Sequence, residues 1–227
     1  RAARPRDTQA PMTGTLHPQV SLAAGTRALV LGLGRTGLSA ARYLDRKGLT
    51  VRVADTRANP PGVDALRADV PAAELQTGAF NPSLLDDVAQ VVISPGLSLQ
   101  EAVVQEALQR GLPVVGDIEL FAREARVPIA AITGTNGKST VTTLVAEIAN
   151  AGGRRAVAGG NLGDPALDLL ARPTPDLYVL ELSSFQLETT HSLHTVTSAV
   201  LNVTPDHMDR YASLEAYGAA KARIFDG

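Results

Sequence analysis

A glycine-rich loop carrying one lysine is the first segment with the composition of a ligand site. In PIAAITGTNGKSTVTTLV the loop lies between an apolar run and a helix-forming run, and Ile132 stands where the common phosphate-loop spacing has its first glycine. Backbone N–H groups of such a loop cradle phosphate oxygens, Lys138 can neutralise their charge, and Ser139 can offer a hydroxyl to Mg²⁺. The alternative for Lys138 is a solvated side chain, but a cation at a helix N-terminus opposes the helix dipole unless an anion is bound. The predicted nucleotide-phosphate site comprises Gly134, Thr135, Asn136, Gly137, Lys138, Ser139 and Thr140.

A second glycine pattern occurs in LVLGLGRTGLSAARYL, where Gly32, Gly34 and Gly37 follow an apolar run and open a helix. Asp55 ends the next strand-like run, where dinucleotide-binding folds place an acid that binds a ribose. Together, strand, loop, helix and acid predict a diphosphate-binding unit and leave the identity of the diphosphate open. The alternative is that these glycines serve only close packing of the helix on the strand.

Two further segments place carboxylates and an imidazole after strand-like runs. Glu181 follows Leu177–Leu180, at the sheet edge where open α/β folds bind ligands, and a carboxylate there can hold Mg²⁺. The alternative role for Glu181 is capping of the next helix. For the imidazole of His207, a structural hydrogen-bonding role is an equal alternative to metal binding. The second segment, LNVTPDHMDRY, contains Asn202, Asp206, His207 and Asp209.

The helix predicted over Ser213–Phe225 has a lysine on its apolar face. Burial disfavours the ammonium form, so a buried lysine is paired, catalytic or chemically modified. The alternative is that its charged end reaches the surface. The spacing of three and four residues predicts an inward face made of Leu214, Tyr217, Lys221, Ile224 and Phe225.

Short apolar runs alternate with helical patterns along most of the chain. This alternation predicts an α/β fold with parallel sheets and crossover helices. A second phosphate loop indicates a second α/β unit, with the boundary within Gly116–Arg126. The predicted strands are Arg27–Leu31, Thr50–Ala54, Gln90–Ile93, Pro113–Val115, Pro128–Thr133, Arg155–Ala158, Asp176–Glu181 and Ser198–Leu201. The predicted helices are Thr36–Lys47, Leu99–Gln109, Lys138–Ala151 and Ser213–Phe225.

Length and composition exclude several classes of function. The chain has 227 residues, a formal net charge of -2 and no cysteine. Such a charge gives no electrostatic reason to expect nucleic acid or an anionic membrane as a partner. Without cysteine there is no disulfide, no thiolate nucleophile and no cysteine-bound metal, and no apolar run approaches the ~20 residues that span a bilayer. We expect a cytoplasmic protein with no nucleic-acid or membrane partner, in which residues 1–20 form a disordered leader.

From Arg27 to its end, the chain resembles the Mur ligase family. The motifs that carry the resemblance are GLGRTGLS, ADTR, ISPG, TGTNGKST, GGNLG, LELSSFQLE, NVTPDHMDRY and AAKARIF. Of these, ADTR and LELSSFQLE are typical of the branch that adds D-glutamate. The resemblance implies a Rossmann-like, parallel-sheet α/β domain over residues 21–116 that binds a UDP-sugar. It also implies an ATP-binding, P-loop-type α/β domain over residues 117–227, which we expect to be truncated, with the family's third domain absent.

The resemblance also implies roles for individual residues. Arg35 and Thr36 would contact the UDP diphosphate. The glycine-rich loop described above would hold the ATP phosphates, and its Lys138 would contact the phosphoryl group that is transferred. The uridine would lie among Asp55, Thr56, Arg57 and Ser94, and the rest of the substrate would contact Asn161, Ser183 and Gln186. Magnesium would lie among Ser139, Glu181, His207 and Lys221, the last as a carbamylated lysine.

The implied reaction is ATP-dependent, ADP-forming amide synthesis that joins D-glutamate to UDP-N-acetylmuramoyl-L-alanine through an acyl phosphate in peptidoglycan precursor synthesis. Lys138, His207 and Lys221 would be its catalytic residues. We expect this chain alone to lack that activity, because one wall of the site would be missing. An NAD-binding oxidoreductase is the competing hypothesis, although it leaves the second phosphate loop unexplained. A non-catalytic nucleotide-binding module is the third hypothesis.

Overall fold

The computed structural model describes residues 22–226, so the leader predicted for residues 1–20 lies outside the described residues. The described chain forms two parallel β-sheets with helices packed against them, which confirms the predicted α/β fold. No helix in this part of the chain is long and apolar enough to cross a membrane.

The first sheet has five parallel strands in the order β3-β2-β1-β4-β5. This is the strand order of a Rossmann-type half, and it places the loop after β1 where the order reverses and ligands bind. In chain order its elements are β1 (Arg27–Leu31), α1 (Arg35–Arg46), β2 (Thr50–Asp55), α2 (Val63–Asp69), β3 (Glu74–Thr77), a 3₁₀ turn (Pro82–Leu85), β4 (Val88–Ile93), α3 (Ala102–Gln109) and β5 (Val114–Val115).

The second sheet has four parallel strands in the order β7-β8-β6-β9. The loop after β6 therefore lies between the loops that follow β8 and β9, at one edge of the sheet. Its elements are α4 (Asp117–Glu124), β6 (Ile129–Thr133), α5 (Lys138–Ala151), β7 (Ala156–Gly160), α6 (Ala166–Leu169), β8 (Leu177–Glu181), α7 (Ser184–Glu188), β9 (Thr197–Val200), α8 (Leu214–Ala222) and a 3₁₀ turn (Arg223–Phe225).

The two sheets share one apolar core, and helix α4 lies within it. Ile118 and Phe121 of α4 belong to the same buried cluster as Val53 of the first sheet and Leu180 of the second. The Phe121 ring meets Tyr178 of β8 edge-on, with ring centroids 5.0 Å apart. The segment predicted to contain the boundary thus forms a buried helix that both units contact.

Central strands were predicted well because both faces of their sheets are covered, so the strands read as continuous apolar runs. The elements that the sequence analysis missed are α2, β3, α4, α6 and α7, each of which has eight residues or fewer. The prediction for the last helix was wrong at its end, because α8 stops at Ala222. The tighter 3₁₀ turn rotates Phe225 off the inward face, and its side chain is 58% exposed.

The loop between β1 and α1 depends on a close backbone approach at Gly37. A Cβ atom added to Gly37 would lie 1.8 Å from the carbonyl oxygen of Gly32, which itself has φ +89°. An added Cβ at Gly34 would meet nothing within 4 Å. Helix α1 can therefore start directly beside the end of β1 only because residue 37 lacks a side chain.

We expect Gly37→Ala to destabilise the protein by at least ~2 kcal/mol, because the backbone must move to relieve the clash. The matched variant Gly34→Ala should cost less than ~1 kcal/mol, since its backbone lies at φ −90° in open space. Urea unfolding of the two variants measures the difference. Equal stabilities would show that the close approach does not constrain the loop.

Candidate functional site

A cavity of about 430 Å³ opens between the loops that follow β1, β2, β4 and β7, so both sheets contribute to it. Ser183 is the one predicted substrate residue that does not line it. The predicted residues that line it are Arg35, Thr36, Asp55, Thr56, Arg57, Ser94, Asn161 and Gln186.

Asp55 is buried at one end of this cavity, and both of its carboxylate oxygens accept hydrogen bonds. Its carboxylate accepts hydrogen bonds from the backbone N–H of Leu33 at 2.7 Å and from the guanidinium of Arg57 at 2.6 and 2.8 Å. The bonds from Arg57, aided by the one from Leu33, outweigh burial and lower the pKa of Asp55 to about 2. Arg57 itself is half-exposed, so the pair presents a guanidinium to the cavity and keeps the carboxylate behind it.

The N-terminus of helix α1 also reaches the cavity and touches the second unit. Its first turn contains no acidic side chain, so the positive end of the helix dipole is free to bind an anion. The Arg35 guanidinium donates to the carbonyl oxygen of Gly163 at 2.6 Å, and the Ser39 hydroxyl donates to Asp168 at 2.7 Å. These contacts fix the segment from the loop after β7 to helix α6 against helix α1.

The predicted phosphate loop is closed by an asparagine that lies beyond β9. Asn202 Oδ1 accepts from the backbone N–H groups of Thr135 and Asn136 at 3.1 and 2.9 Å, and its amide nitrogen donates to the Asn136 carbonyl. Gly137 has the left-handed φ of +80° at the start of α5. Lys138 folds back over the loop and donates from Nζ to the Thr135 carbonyl at 2.9 Å. Sequence analysis noted Asn202 but missed its role in closing the loop.

The Glu181 carboxylate connects the phosphate loop to the loop after β7. It is 2% exposed and accepts from the Ser139 hydroxyl and from the Asn161 side-chain amide, each at 2.6 Å. The backbone N–H of Asn161 also donates to the Glu181 carbonyl at 2.9 Å. The alternative role for Glu181, capping of the next helix, is wrong because Ser183 caps α7.

Lys221 reaches the phosphate loop from helix α8. Its side chain is 1% exposed, and Nζ donates to the Gly134 carbonyl at 2.8 Å and lies 4.4 Å from the centre of the Tyr217 ring. Burial, with a smaller effect of Lys138, lowers the pKa of Lys221 to about 8. The charged end therefore points inward, and the alternative in which it reaches the surface is wrong.

His207 lies in an aromatic cluster beside this loop. It has a left-handed φ of +54°, its ring centre is 4.8 Å from that of Phe185, and its Nε2 lies 3.6 Å from Asp206. Between residues 22 and 226, no group of three or more histidine or acidic side chains is arranged to hold a metal ion. The structure thus brings Ser139 to Glu181 and places His207 against Phe185.

Ser183 and Gln186 form a reciprocal cap at the start of α7. The Gln186 N–H donates to the Ser183 hydroxyl at 3.2 Å, and Gln186 Oε1 accepts from the Ser183 N–H at 3.0 Å. The other end of the Gln186 amide donates to Asp117 Oδ2 at 3.1 Å. Asp117 was missed from the sequence, where the available signal is an acid that alternates with large apolar residues at the start of a short segment.

Asp117 and Glu119 are both buried on helix α4, but the pKa values of their carboxyl groups are shifted in opposite directions. Burial raises the pKa of Asp117 to about 6, opposed by its bond from Gln186 and by backbone N–H groups at the helix start. Burial also acts to raise the pKa of Glu119, but bonds from Ser192, from the backbone N–H of His191 and from Arg123 outweigh it and lower that pKa. Of these two carboxyl groups, only that of Asp117 therefore destabilises the folded protein when it ionises.

A larger cavity of about 840 Å³ lies at the opposite end of the strands, around Tyr43, Lys47 and Arg123. Two of its cations are already paired, since Lys47 contacts Glu124 at 2.8 Å and Arg123 contacts Glu119 at 2.9 Å. None of the predicted site residues lines it. The smaller cavity is therefore the candidate ligand site.

Two family profiles match the chain. Residues 26–116 match the N-terminal domain of MurD-like Mur ligases, and residues 132–227 match the Mur ligase middle domain. UDP-N-acetylmuramoylalanine--D-glutamate ligase from Nitrosococcus oceani is 53% identical over 212 residues, covering 93% of this chain and 46% of that relative. The enzyme of the same name from Methylobacillus flagellatus is 54% identical over 201 residues, covering 88% and 44%. The chain thus spans about half the length of the relatives it matches.

Solved structures support the fold independently. The Neisseria meningitides UDP-N-acetylmuramate:L-alanyl-gamma-D-glutamyl-meso-diaminopimelate ligase aligns with a TM-score of 0.58 at 19% identity, covering 88% of this chain and 68% of that one. A murein peptide ligase from Psychrobacter arcticus aligns with a TM-score of 0.54 at 18% identity, covering 88% and 47%. Both alignments cover most of this chain and support its α/β fold.

The two buried acids of α4 should give stability profiles of opposite sign. The folded pKa of Asp117 lies above its unfolded value of 3.8, so wild type should lose about 1–3 kcal/mol relative to Asp117→Asn as the pH rises from 4 to 7. The folded pKa of Glu119 lies below its unfolded value of 4.5, so wild type should lose stability relative to Glu119→Gln as the pH falls below 4.5. Urea unfolding at several pH values measures both differences, and parallel profiles would contradict this assignment.

Proposed function

This chain belongs to the Mur ligase family, and we propose that it supplies the UDP-substrate and ATP sites of a ligase that joins D-glutamate to UDP-N-acetylmuramoyl-L-alanine. The observation that carries the proposal is the link through Glu181, which bonds to Ser139 beside one glycine-rich loop and to Asn161 in the cavity at the other. Two phosphate-type loops joined in this way suit a reaction between two phosphorylated substrates. A hydride-transfer enzyme would need only the first.

The reaction that fits this arrangement transfers a phosphoryl group and then forms an amide. The alanyl carboxylate attacks the γ-phosphorus of ATP, ADP leaves, and the D-glutamate amine displaces phosphate from the acyl phosphate. Such transfer depends on positioning and charge neutralisation more than on covalent catalysis by the protein. Lys138 and the N-terminus of α5, whose first turn has no acidic residue, would stabilise the charge on the phosphates.

Magnesium fits the donor atoms that the structure collects beside the phosphate loop. The Ser139 hydroxyl and Glu181 carboxylate are hard oxygen donors of the kind Mg²⁺ prefers, and they already lie 2.6 Å apart. We propose that these two residues hold the ion, with His207 and a carbamate on Lys221 as further ligands. When bound, Mg²⁺ would neutralise charge on the ATP phosphates.

Carbamylation of Lys221 would resolve the burial of its cation. A neutral amine attacks CO₂, forms an N–C bond and releases one proton, and the product is an anion with two oxygens. The pKa of about 8 leaves a reactive fraction of neutral amine near physiological pH. With ¹³C-bicarbonate, we expect a carbamate carbon resonance in wild type and in Lys47→Ala, but not in Lys221→Ala. A resonance that survives in Lys221→Ala would contradict the assignment.

The competing NAD hypothesis conflicts with the state of Asp55. In an NAD site this carboxylate would accept hydrogen bonds from a ribose, but here it is 3% exposed and its oxygens are bonded to Leu33 and Arg57. Thr56 and Arg57 instead line the cavity and offer donors and an acceptor that suit a uracil ring.

Cytoplasm remains the proposed location, in keeping with the absence of cysteine.

Calorimetric titration of this chain with UDP-N-acetylmuramoyl-L-alanine and with NAD tests the proposal. We expect the UDP ligand to bind at least ~100-fold more tightly, because a site built to bond one base leaves polar groups unpaired with another. UDP alone, as the control, should retain part of this affinity. Tight NAD binding with no response to the UDP ligand would overturn the proposed function.

A further inference from the structure

The carboxylate of Asp117 is a buried group for which the proposed mechanism has no use. We infer that Asp117 is a positioning residue, which orients the side-chain amide of Gln186 so that its nitrogen can donate to an oxygen of the UDP-linked substrate. This inference rests on the proposed function and adds a residue to its substrate site.

The orientation of the Gln186 amide is fixed from both ends. Its oxygen accepts from the Ser183 N–H at 3.0 Å, and a backbone N–H can only donate. Its nitrogen donates to Asp117 Oδ2 at 3.1 Å, and an ionised carboxylate can only accept. Reversing the amide would place donor against donor at Ser183, so the pair of neighbours allows one orientation.

Helices α4 and α7, which carry Asp117 and Gln186, are held together by contacts other than the bond between these two side chains. The Gly116 N–H points to the Thr189 carbonyl at 3.4 Å, and a Cβ atom on Gly116 would lie 2.2 Å from the Thr189 hydroxyl. Glu119 accepts from the backbone N–H groups of His191 and Ser192 at 2.7 and 3.0 Å. The start of α4 and the end of α7 therefore stay in contact when the charge on Asp117 is removed.

One N–H of the Gln186 amide remains for a ligand. The amide nitrogen has two hydrogens, and its only recorded protein partner among residues 22–226 is the Asp117 carboxylate. Gln186 lines the same cavity as Asn161 and Arg35, which also carry N–H donors. A phosphate or carboxylate oxygen of the substrate is the complementary acceptor.

The buried charge of Asp117 lowers the stability of the folded protein. A residue that destabilises the fold in this way is better explained by a role in ligand binding than by a role in stability. The Asp117 carboxylate is 1% exposed and has no cationic partner between residues 22 and 226, so it is destabilising when ionised. A neutral residue of the same shape would relieve that cost. Asparagine has only one acceptor oxygen, for which the Gln186 amide would compete with the backbone N–H groups at the start of α4 that also bond to the Asp117 carboxylate. The Gln186 amide would then be held less firmly, so binding would suffer while stability did not.

Affinity for two ligands separates positioning from general damage. Titrate wild type, Asp117→Asn and Glu119→Gln with UDP-N-acetylmuramoyl-L-alanine and, separately, with Mg-ATP, and record thermal unfolding of each. Asp117→Asn should bind the UDP ligand at least ~10-fold more weakly with Mg-ATP affinity unchanged, because one charge-assisted contact is misdirected. Glu119→Gln removes a buried charge from the same helix without touching Gln186 and keeps one oxygen that can accept from the His191 and Ser192 N–H groups, so it should leave both affinities unchanged.

A double-mutant cycle tests whether Asp117 acts through Gln186. Gln186→Ala should weaken binding of the UDP ligand by a similar factor, and adding Asp117→Asn to this variant should cause no further loss of affinity. Wild-type affinity in a folded Asp117→Asn, or full additivity in the double variant, would overturn this inference alone. Failure of wild type to bind the UDP ligand would overturn the proposed function and the inference with it. If Asp117→Asn does not fold, the same affinities measured with Asp117→Ser decide the question.

Discussion

The Glu181 carboxylate is the constraint on which the site depends. It ends strand β8 in the middle of the second sheet and is bonded at 2.6 Å to Ser139 of the phosphate loop and to Asn161 of the loop after β7. A buried carboxylate without those donors would be strongly destabilising, so both loops must approach it for the fold to form. The same bonds bring the second glycine-rich loop close to the cavity of the first.

The contacts between the two units extend this constraint. Arg35 reaches the Gly163 carbonyl from helix α1, and Ser39 of the same helix reaches Asp168 of α6, so helix α1 holds the segment that follows β7. Parallel sheets place their ligand-binding loops at the carboxyl ends of the strands. Because helix α4 packs in a core shared by both sheets, two such edges border one cavity. This arrangement supports the proposed site for two phosphorylated ligands.

The sequence predicted the parts of the molecule whose signals are local. Strand β1 and helix α5 were found at their observed residues, and the motifs that carry the family resemblance identified about half of the residues that line the cavity. The parts that were missed depend on contacts between distant residues. Asn202 closes a loop 67 residues earlier, and Asp117 bonds to a glutamine 69 residues later, so neither role has a local pattern. Phe225 was misplaced because a change from α to 3₁₀ geometry leaves no clear mark in the sequence.

The most direct test of this account is whether one molecule of the chain binds both ligands at once. The chain would be saturated with UDP-N-acetylmuramoyl-L-alanine and then titrated calorimetrically with a non-hydrolysable ATP analogue and Mg²⁺. The account predicts that one nucleotide binds per chain while the UDP ligand stays bound, because the two glycine-rich loops are separate sites joined through Glu181. Displacement of the UDP ligand by the nucleotide would show that the two loops serve one site and would contradict it.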